Sequence, residues 1–470
     1  MAPFLLIFIF IFPSFQLFSR EKPQITPGSY YVELGKKSEP LSVDELIEGA
    51  LRLSGTQDDK LDQLKKKMHN YVGGVKTSVA GFKELYDVGN GVLEYMHKYI
   101  LREYSEFQTR LDVLLETGGF NCVSSAVLFM ILGRAVGLTV QGVSTADHVF
   151  CSVIIDGTAI DVETTNPYGF DPGTKREFFD AFGNTGYTYV PPGNYRLRNS
   201  TGEKGLLSFI LQNRISMLEK KNAFAESIEL ASNRYALLKN ESAYKDMVRE
   251  FINYAAYLNQ KGEYAEALDF LDTLRALYGE DDLYIPIANI LVYNQAVEDI
   301  NAMEYQAARA ALDKRVKNKD IAEKEYHRLL AMISEREAYN AVQKLAFDEA
   351  LRVVQRLYTT GSLQDDKYRE YVVYLFGKKA EDTAVEDGWL KAAEVLKAGV
   401  SLIGQDQRLV NAWNGYRANF ANESHNKFAD LFNSRKFKEA KALLESALEN
   451  VPDSTLLQKD LKIVNEQLSR

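Results

Sequence analysis

Cysteine and histidine are scarce in this sequence: two and five, respectively, among 470 residues. That leaves few ways to assemble a thiol, imidazole or metal centre. His69, His97, His327 and His425 are scattered without metal-ligand spacing, so no metal is expected. There is no Walker sequence, no G-x-G-x-x-G after a strand and no G-x-S-x-G, and no cofactor is implied. Nor is there a block of one charge sign. The net charge of −9 comes from acidic and basic residues mixed along the chain, which argues against nucleic acid or an anionic membrane surface as partner. The short run Lys65-Lys66-Lys67 reads as a solvated helix face.

What is present is apolar. Hydrophobic residues make up 46% and aromatics 11%, the composition of a globular, well-buried protein, and the length predicts two or three domains. Phe4 to Phe12 form an unbroken apolar run, interrupted afterwards by Pro13, Ser14 and Gln16. That pattern fits the apolar core of a secretory signal better than a spanning helix. No Lys or Arg precedes the run and no clear small-x-small site follows it. Residues 1–20 are therefore expected to be a signal peptide or an N-terminal anchor, with a buried N-terminal segment as the other reading. The expected location is periplasmic or secreted, with membrane contact only through that segment. Residues 21–40 are rich in Pro, Gly and Ser and read as a linker.

From Leu41 to about Leu115 the pattern is helical. Ser42 with Glu45 forms a capping box, and the apolar spacing looks interrupted at Gly55 and at Gly73-Gly74. The spacing from Leu85 to Tyr104 predicts one or two further helices. Gly118-Gly119-Phe120-Asn121 breaks the pattern, Asn121 is a good N-cap, and Val123 to Val136 is apolar nearly all round, so a central buried helix is expected there. Gly137 ends it. Three strand-like segments follow: Thr139–Val143, His148–Ile155 and Thr158–Thr165, the last two joined by Asp156-Gly157, a strong hairpin signal. Residues 166–204 read as loop around a short helix near Arg176 to Phe182.

From about Leu206 a repeat takes over. Each unit has an aromatic three residues before a small residue: Phe224/Ser227, Tyr264/Ala267, Tyr305/Ala308, Phe347/Ala350, Trp389/Ala392 and Phe437/Ala440. Ala231, Leu271, Leu312, Val354, Leu396 and Leu444 follow four residues later, and Ala255, Ala296, Ala338 and Ala380 precede by twelve. Small residues at fixed offsets let two helices approach closely while the aromatic fills the turn. The pattern resembles the tetratricopeptide repeat, with a period of 40 to 48 residues rather than that family's usual shorter one.

The chemistry concentrates around Cys122. His148 follows 26 residues later and Glu163 15 after that, and thiol, imidazole and carboxylate are the minimum for nucleophilic thiol catalysis. At the start of its helix Cys122 would meet unpaired N–H groups that favour a thiolate and could hold an oxyanion. A two-residue Asp156-Gly157 turn pairs Ile155 with Thr158, which puts His148, Phe150 and Ser152 on one sheet face with Asp161, Glu163 and Thr165. Glu163 is diagonal to His148, whereas Asp161 is about 13 Å away by strand rise. Glu163 is the better orienting acid and Asp161 the second choice. Cys151 faces the other way, so a Cys122–Cys151 disulfide is disfavoured.

The run Gly119 to Leu128, then Gly137-Leu138, Asp147-His148-Val149-Phe150 and Asp161 to Pro167 resembles the transglutaminase-like superfamily of papain-fold thiol enzymes. The likeness covers roughly residues 85–195. It implies Cys122 as nucleophile, His148 as base and Glu163 in place of the usual aspartate; a Trp before the Cys, carried by some members, is missing. The expected architecture is an α+β transglutaminase-like domain over 41–204, a Cys-bearing helix on an antiparallel sheet, followed by an all-α solenoid over 205–470. The expected function is acyl transfer on amide bonds (protease, amidase or transglutaminase type), with a protein or peptide, including a cell-wall peptide, held by the repeats. The rival expectation is a scaffold or adaptor in which the thiol fold is only structural.

Overall fold

In the computed structural model, residues 22–173 and 197–469 are described. The chain divides into two compact units, Met1–Leu283 and Tyr284–Arg470. The described residues are mostly helical with one small antiparallel sheet, and none of their helices is long and apolar enough to cross a membrane. The expected leader at 1–20 and the short helix near Arg176 to Phe182 lie outside the described residues.

In the first unit, the segment expected as a linker contains helix α1 (Ser29–Lys36). It is docked rather than free because Leu34 is buried and the Gly28 N–H donates to Asn233 Oδ1 at 2.8 Å. Composition suggested a linker; tertiary contact overrides it. Helix α2 (Val43–Leu53) begins at the expected Ser42–Glu45 capping box. Helix α3 (Asp58–Val79) runs straight through Gly73-Gly74, since Leu61, Leu64, Met68, Val72, Val75 and Val79 form one continuous buried stripe. Helix α4 (Leu85–Tyr99) stops before Tyr104, which the spacing had placed on a helix. Tyr104 instead belongs to β1 (Glu103–Tyr104), paired in parallel with β2 (Gly119–Phe120) on the far side of α5 (Leu111–Thr117).

Helix α6 (Cys122–Ala135) is the centre of this unit: every residue from Val123 to Gly133 is buried, and α2, α3, α4 and α5 all pack on it. It also lies on a four-stranded sheet of β3 (Thr139–Ser144), β4 (Val149–Ile155), β5 (Thr158–Val162) and β6 (Asn199–Thr201), in the order β5-β4-β3-β6, antiparallel throughout. Asp156 and Gly157 both adopt positive φ, 50° and 81°, as a type I′ hairpin requires. The register follows from that turn: Ile155 pairs with Thr158 and Ser152 with Asp161. Both strands are shorter than expected. His148 lies just before β4 and Glu163 just after β5, so the two leave the sheet at the same end.

Helix α7 (Glu203–Glu219) buries Leu206, Leu207, Ile210 and Leu211 and packs on α2, α6 and β3. With α8 (Phe224–Leu238), α9 (Glu241–Lys261) and α10 (Tyr264–Tyr278) it falls in the first unit, so the compact division comes about 80 residues after the sequence-based boundary at 204/205. The second unit is helical throughout its described residues, from Ile285 to Leu468, with successive helices packed on one another.

The repeated positions have a common structural place. Phe224, Tyr264, Tyr305, Phe347, Trp389 and Phe437 are each the first residue of a helix. The small residues three positions on (Ser227, Ala267, Ala308, Ala350, Ala392, Ala440) are buried, as are the apolar positions four residues further. Ala255, Ala296, Ala338 and Ala380 are buried on the preceding helices. A small side chain at a helix contact brings the two axes close, and the aromatic beside the turn covers the gap.

Candidate active site

Cys122 is the first residue of α6 and is partly accessible. Asn121 caps the helix: its Oδ1 accepts the N–H groups of Val123 and Ser124, each at 3.0 Å, while Ser124 Oγ accepts the Asn121 N–H at 2.9 Å. Two of the helix-tip donors are therefore already satisfied. The first N–H of a helix has no intrahelical acceptor, which leaves the Cys122 N–H as the donor beside the sulfur.

His148 is buried, and its Nε2 meets Glu163 Oε2 at 2.6 Å. Cys122 lines the same cleft and is close enough to act on the ring. Burial works against a charged imidazole here, but the Glu163 carboxylate and the nearby Cys122 outweigh it and push His148 up to about 10. Burial would also raise the Glu163 carboxyl, yet His148 and the Thr165 hydroxyl and amide hold it below the usual carboxylate range. Thr165 Oγ1 donates to Glu163 Oε1 at 2.7 Å and Thr165 N at 3.2 Å, so both carboxylate oxygens have partners. Glu163 thus holds His148, and Cys122 shares the cleft with that ring.

Further contacts hold the acid in place. The backbone after β5 turns sharply, with Glu163 N–H donating to Gly169 O at 2.7 Å. Gly169 must be glycine, because a Cβ there would fall 2.0 Å from the Glu163 carbonyl oxygen. The adjacent Thr164 is gripped from two sides. Ser125 Oγ on α6, one turn from Cys122, lies 2.8 Å from Thr164 Oγ1, and His97 Nε2 on α4 lies 3.1 Å from Thr164 O. Burial pushes His97 down to about 4. It is neutral at pH 7, and Nε2 carries the proton donated to that carbonyl.

Asp161, the second-choice acid, points elsewhere: its Oδ2 accepts from Arg198 Nη1 at 2.6 Å. Both cysteines are free. Cys151 is fully buried, its Sγ donates to Ala126 O at 3.3 Å, and burial pushes its thiol up. It belongs to the α6–β4 contact. Among the described residues no group of three or more His, Cys, Asp or Glu side chains could hold a metal ion.

Cys122 and His148 open onto a cleft of about 740 Å³, bounded by Tyr104 and Phe107 on one side, by the 144–148 turn on another, and by Phe209, Gln212 and Ser216 of α7. No family model matches this chain, and no curated protein matches it. Sequence reasoning missed His97, Tyr104, Ser125 and Thr165. Ser125 and Thr165 stood inside the quoted motifs with no role given; the spacing around His97 and Tyr104 carries no signal, because they reach the site from α4 and β1.

Proposed function

We propose that the chain is a cysteine-dependent acyl-transfer enzyme acting on amide bonds, of the transglutaminase-like type. One observation carries the reading: a buried 2.6 Å contact between His148 and Glu163, with the accessible Cys122 lining the same cleft as that imidazole. The Cys122 thiolate attacks the amide carbonyl carbon, and the carbonyl π electrons move onto oxygen, which accepts from the Cys122 N–H. The imidazolium of His148, oriented and stabilised by Glu163, gives its proton to the departing amine as the C–N bond breaks. Water or a second amine, deprotonated by neutral His148, then attacks the thioester and releases Cys122. The helical repeats, with their tetratricopeptide-like spacing, would hold a protein or peptide partner, and the apolar run at the N-terminus favours export.

The test is selective alkylation of the full chain by iodoacetamide near pH 7, followed by peptide mass mapping. Cys122 should react and Cys151 should not, and His148→Ala should slow Cys122 at least tenfold, since positioned acid–base groups are worth roughly 10²–10⁴. Equal, sluggish reaction of both thiols would refute the enzyme and leave the scaffold reading. Incubating cell-wall peptides and protein amides with wild type and with Cys122→Ala would then sort the substrate class.

A further inference from the structure

Tyr104 lines the same cleft as Cys122 and His148, and its strand is clamped to the turn that carries the sulfur. β1 sets Tyr104 opposite Phe120, two residues before Cys122. Next along the strand, Ser105 N–H donates to Phe120 O at 2.7 Å. Asn121 Nδ2 donates to Glu106 O at 3.0 Å, and Ser124 Oγ donates to Gln108 O at 2.9 Å. The half-buried Tyr104 ring stands edge-on to Phe120 with centroids 5.9 Å apart. Burial first, then the nearby charges of Cys122, Glu106 and Glu163, push its phenol up, so it keeps its proton and can only donate or accept a neutral hydrogen bond there.

An attacked carbonyl needs donors aimed at the oxygen where charge develops, and acyl-transfer sites present a pair of them. At this helix tip Asn121 Oδ1 has taken the Val123 and Ser124 N–H groups, leaving one backbone donor, that of Cys122. We propose that the Tyr104 hydroxyl is the second oxyanion donor of this site. The assignment rests on the acyl-transfer reading above. As the S–C bond forms, the carbonyl π pair moves onto oxygen; Tyr104 O–H and Cys122 N–H donate to that oxygen and keep their protons. When the pair returns, the C–N bond breaks and the amine leaves with the His148 proton.

Two reactions of the same sulfur separate this role from any other. Acylation by p-nitrophenyl acetate passes through a tetrahedral oxyanion. Alkylation by iodoacetamide is a displacement at saturated carbon and makes none. In the full-length chain, Tyr104→Phe should lower the acylation rate of Cys122 roughly 10²-fold, the cost of one such donor. It should leave the alkylation rate and its pH profile within about threefold, since the ring packing on Phe120 is kept. Tyr293→Phe, at an exposed position in the second unit, should change neither rate. Unchanged acylation in Tyr104→Phe, or an equal fall in both reactions, would overturn the assignment, as would a wild-type acylation-to-alkylation ratio no higher than that of N-acetylcysteine. If neither reaction of the wild type depends on His148, the acyl-transfer reading fails first and takes this assignment with it.

Discussion

Nine polar or charged side chains are buried between Asn121 and Asn166, against seven along the whole stretch from Tyr284 to Ser469. The helical unit hides Ala338, Ala350, Val354, Leu357, Val372, Ala380, Ala392 and Leu396 against one another, surfaces that need no partner beyond close packing. The thiol region instead buries His148, Glu163, Ser125, Thr164 and Thr165 and satisfies them through each other. Burying polar groups stabilises little even when they are paired and costs much when a partner is lost. A region that concentrates them near one accessible sulfur gives up some stability, which the acyl-transfer proposal would explain; the helical unit is built for packing.

Substitutions can break or sharpen that contrast, and they are ordered here by their effect on the sulfur. Cys122→Ala should abolish labelling and turnover outright while leaving the thermal midpoint nearly unchanged, as a partly exposed thiol becomes a methyl; calorimetry and mass mapping check both. His148→Ala comes next. It should slow alkylation at pH 7 about 10²-fold and destabilise the first unit by about 3 kcal/mol, because Glu163 is left buried and unpaired; chemical denaturation reads the second effect. Glu163→Gln keeps the shape but removes the charge that raises His148. The pH profile of alkylation should then lose its imidazolium-dependent limb at a lower pH, with a rate loss of roughly tenfold or more at pH 7.

The pH dependence of stability offers a subtler contrast. His97 has its folded value lowered from 6.5 to about 4, so the unfolded chain takes up that proton first. Stability should fall as pH drops from 6.5 through 4, by on the order of 2 kcal/mol for this group. Glu163, held below the carboxylate range, adds a further loss under more acidic conditions. His148 runs the other way: its contribution is complete below 6.5 and vanishes as pH rises through about 10. On going from pH 7.5 to 4.5, the urea midpoint of His97→Phe should fall less than that of the wild type, because the loss due to His97 is removed while the opposing gain due to His148 stays. The smallest effects on the sulfur are expected from Asp161→Asn, whose partner is Arg198, and from Leu396→Ala. Both should leave alkylation within twofold of wild type, although the second should cost about 2–4 kcal/mol of stability through a core cavity. A large effect of Asp161→Asn on alkylation would transfer the role of the acid to it.

Several elements were legible because their signals are local. Ser42–Glu45 and Asn121 cap helices where short-range hydrogen bonding says they should, and Asp156-Gly157 fixes a register that a two-residue turn dictates. That register was enough to prefer Glu163 over Asp161. The aromatic–small repeat was legible for the same reason, since its offsets are those of one helix and the turn before it. The docked helix at 29–36 was not, because its stability comes from Asn233 and its neighbours some 200 residues away. The extent of α3 through Gly73-Gly74 was missed because a continuous buried stripe outweighs the weak helix propensity of two glycines.

By itself, then, the sequence determined the helix that carries Cys122, the hairpin that carries His148 and Glu163, and the alternation of helices beyond α7, all consequences of periodicity, capping and turn chemistry within a few residues. Only the tertiary structure decided that Arg198 takes Asp161 away, that Thr165 holds the second oxygen of Glu163, and that His97, Tyr104 and the face of α7 surround the site. Those choices depend on which surfaces α6 buries against its neighbours, and the free energy of that packing is spread over contacts far apart in the chain.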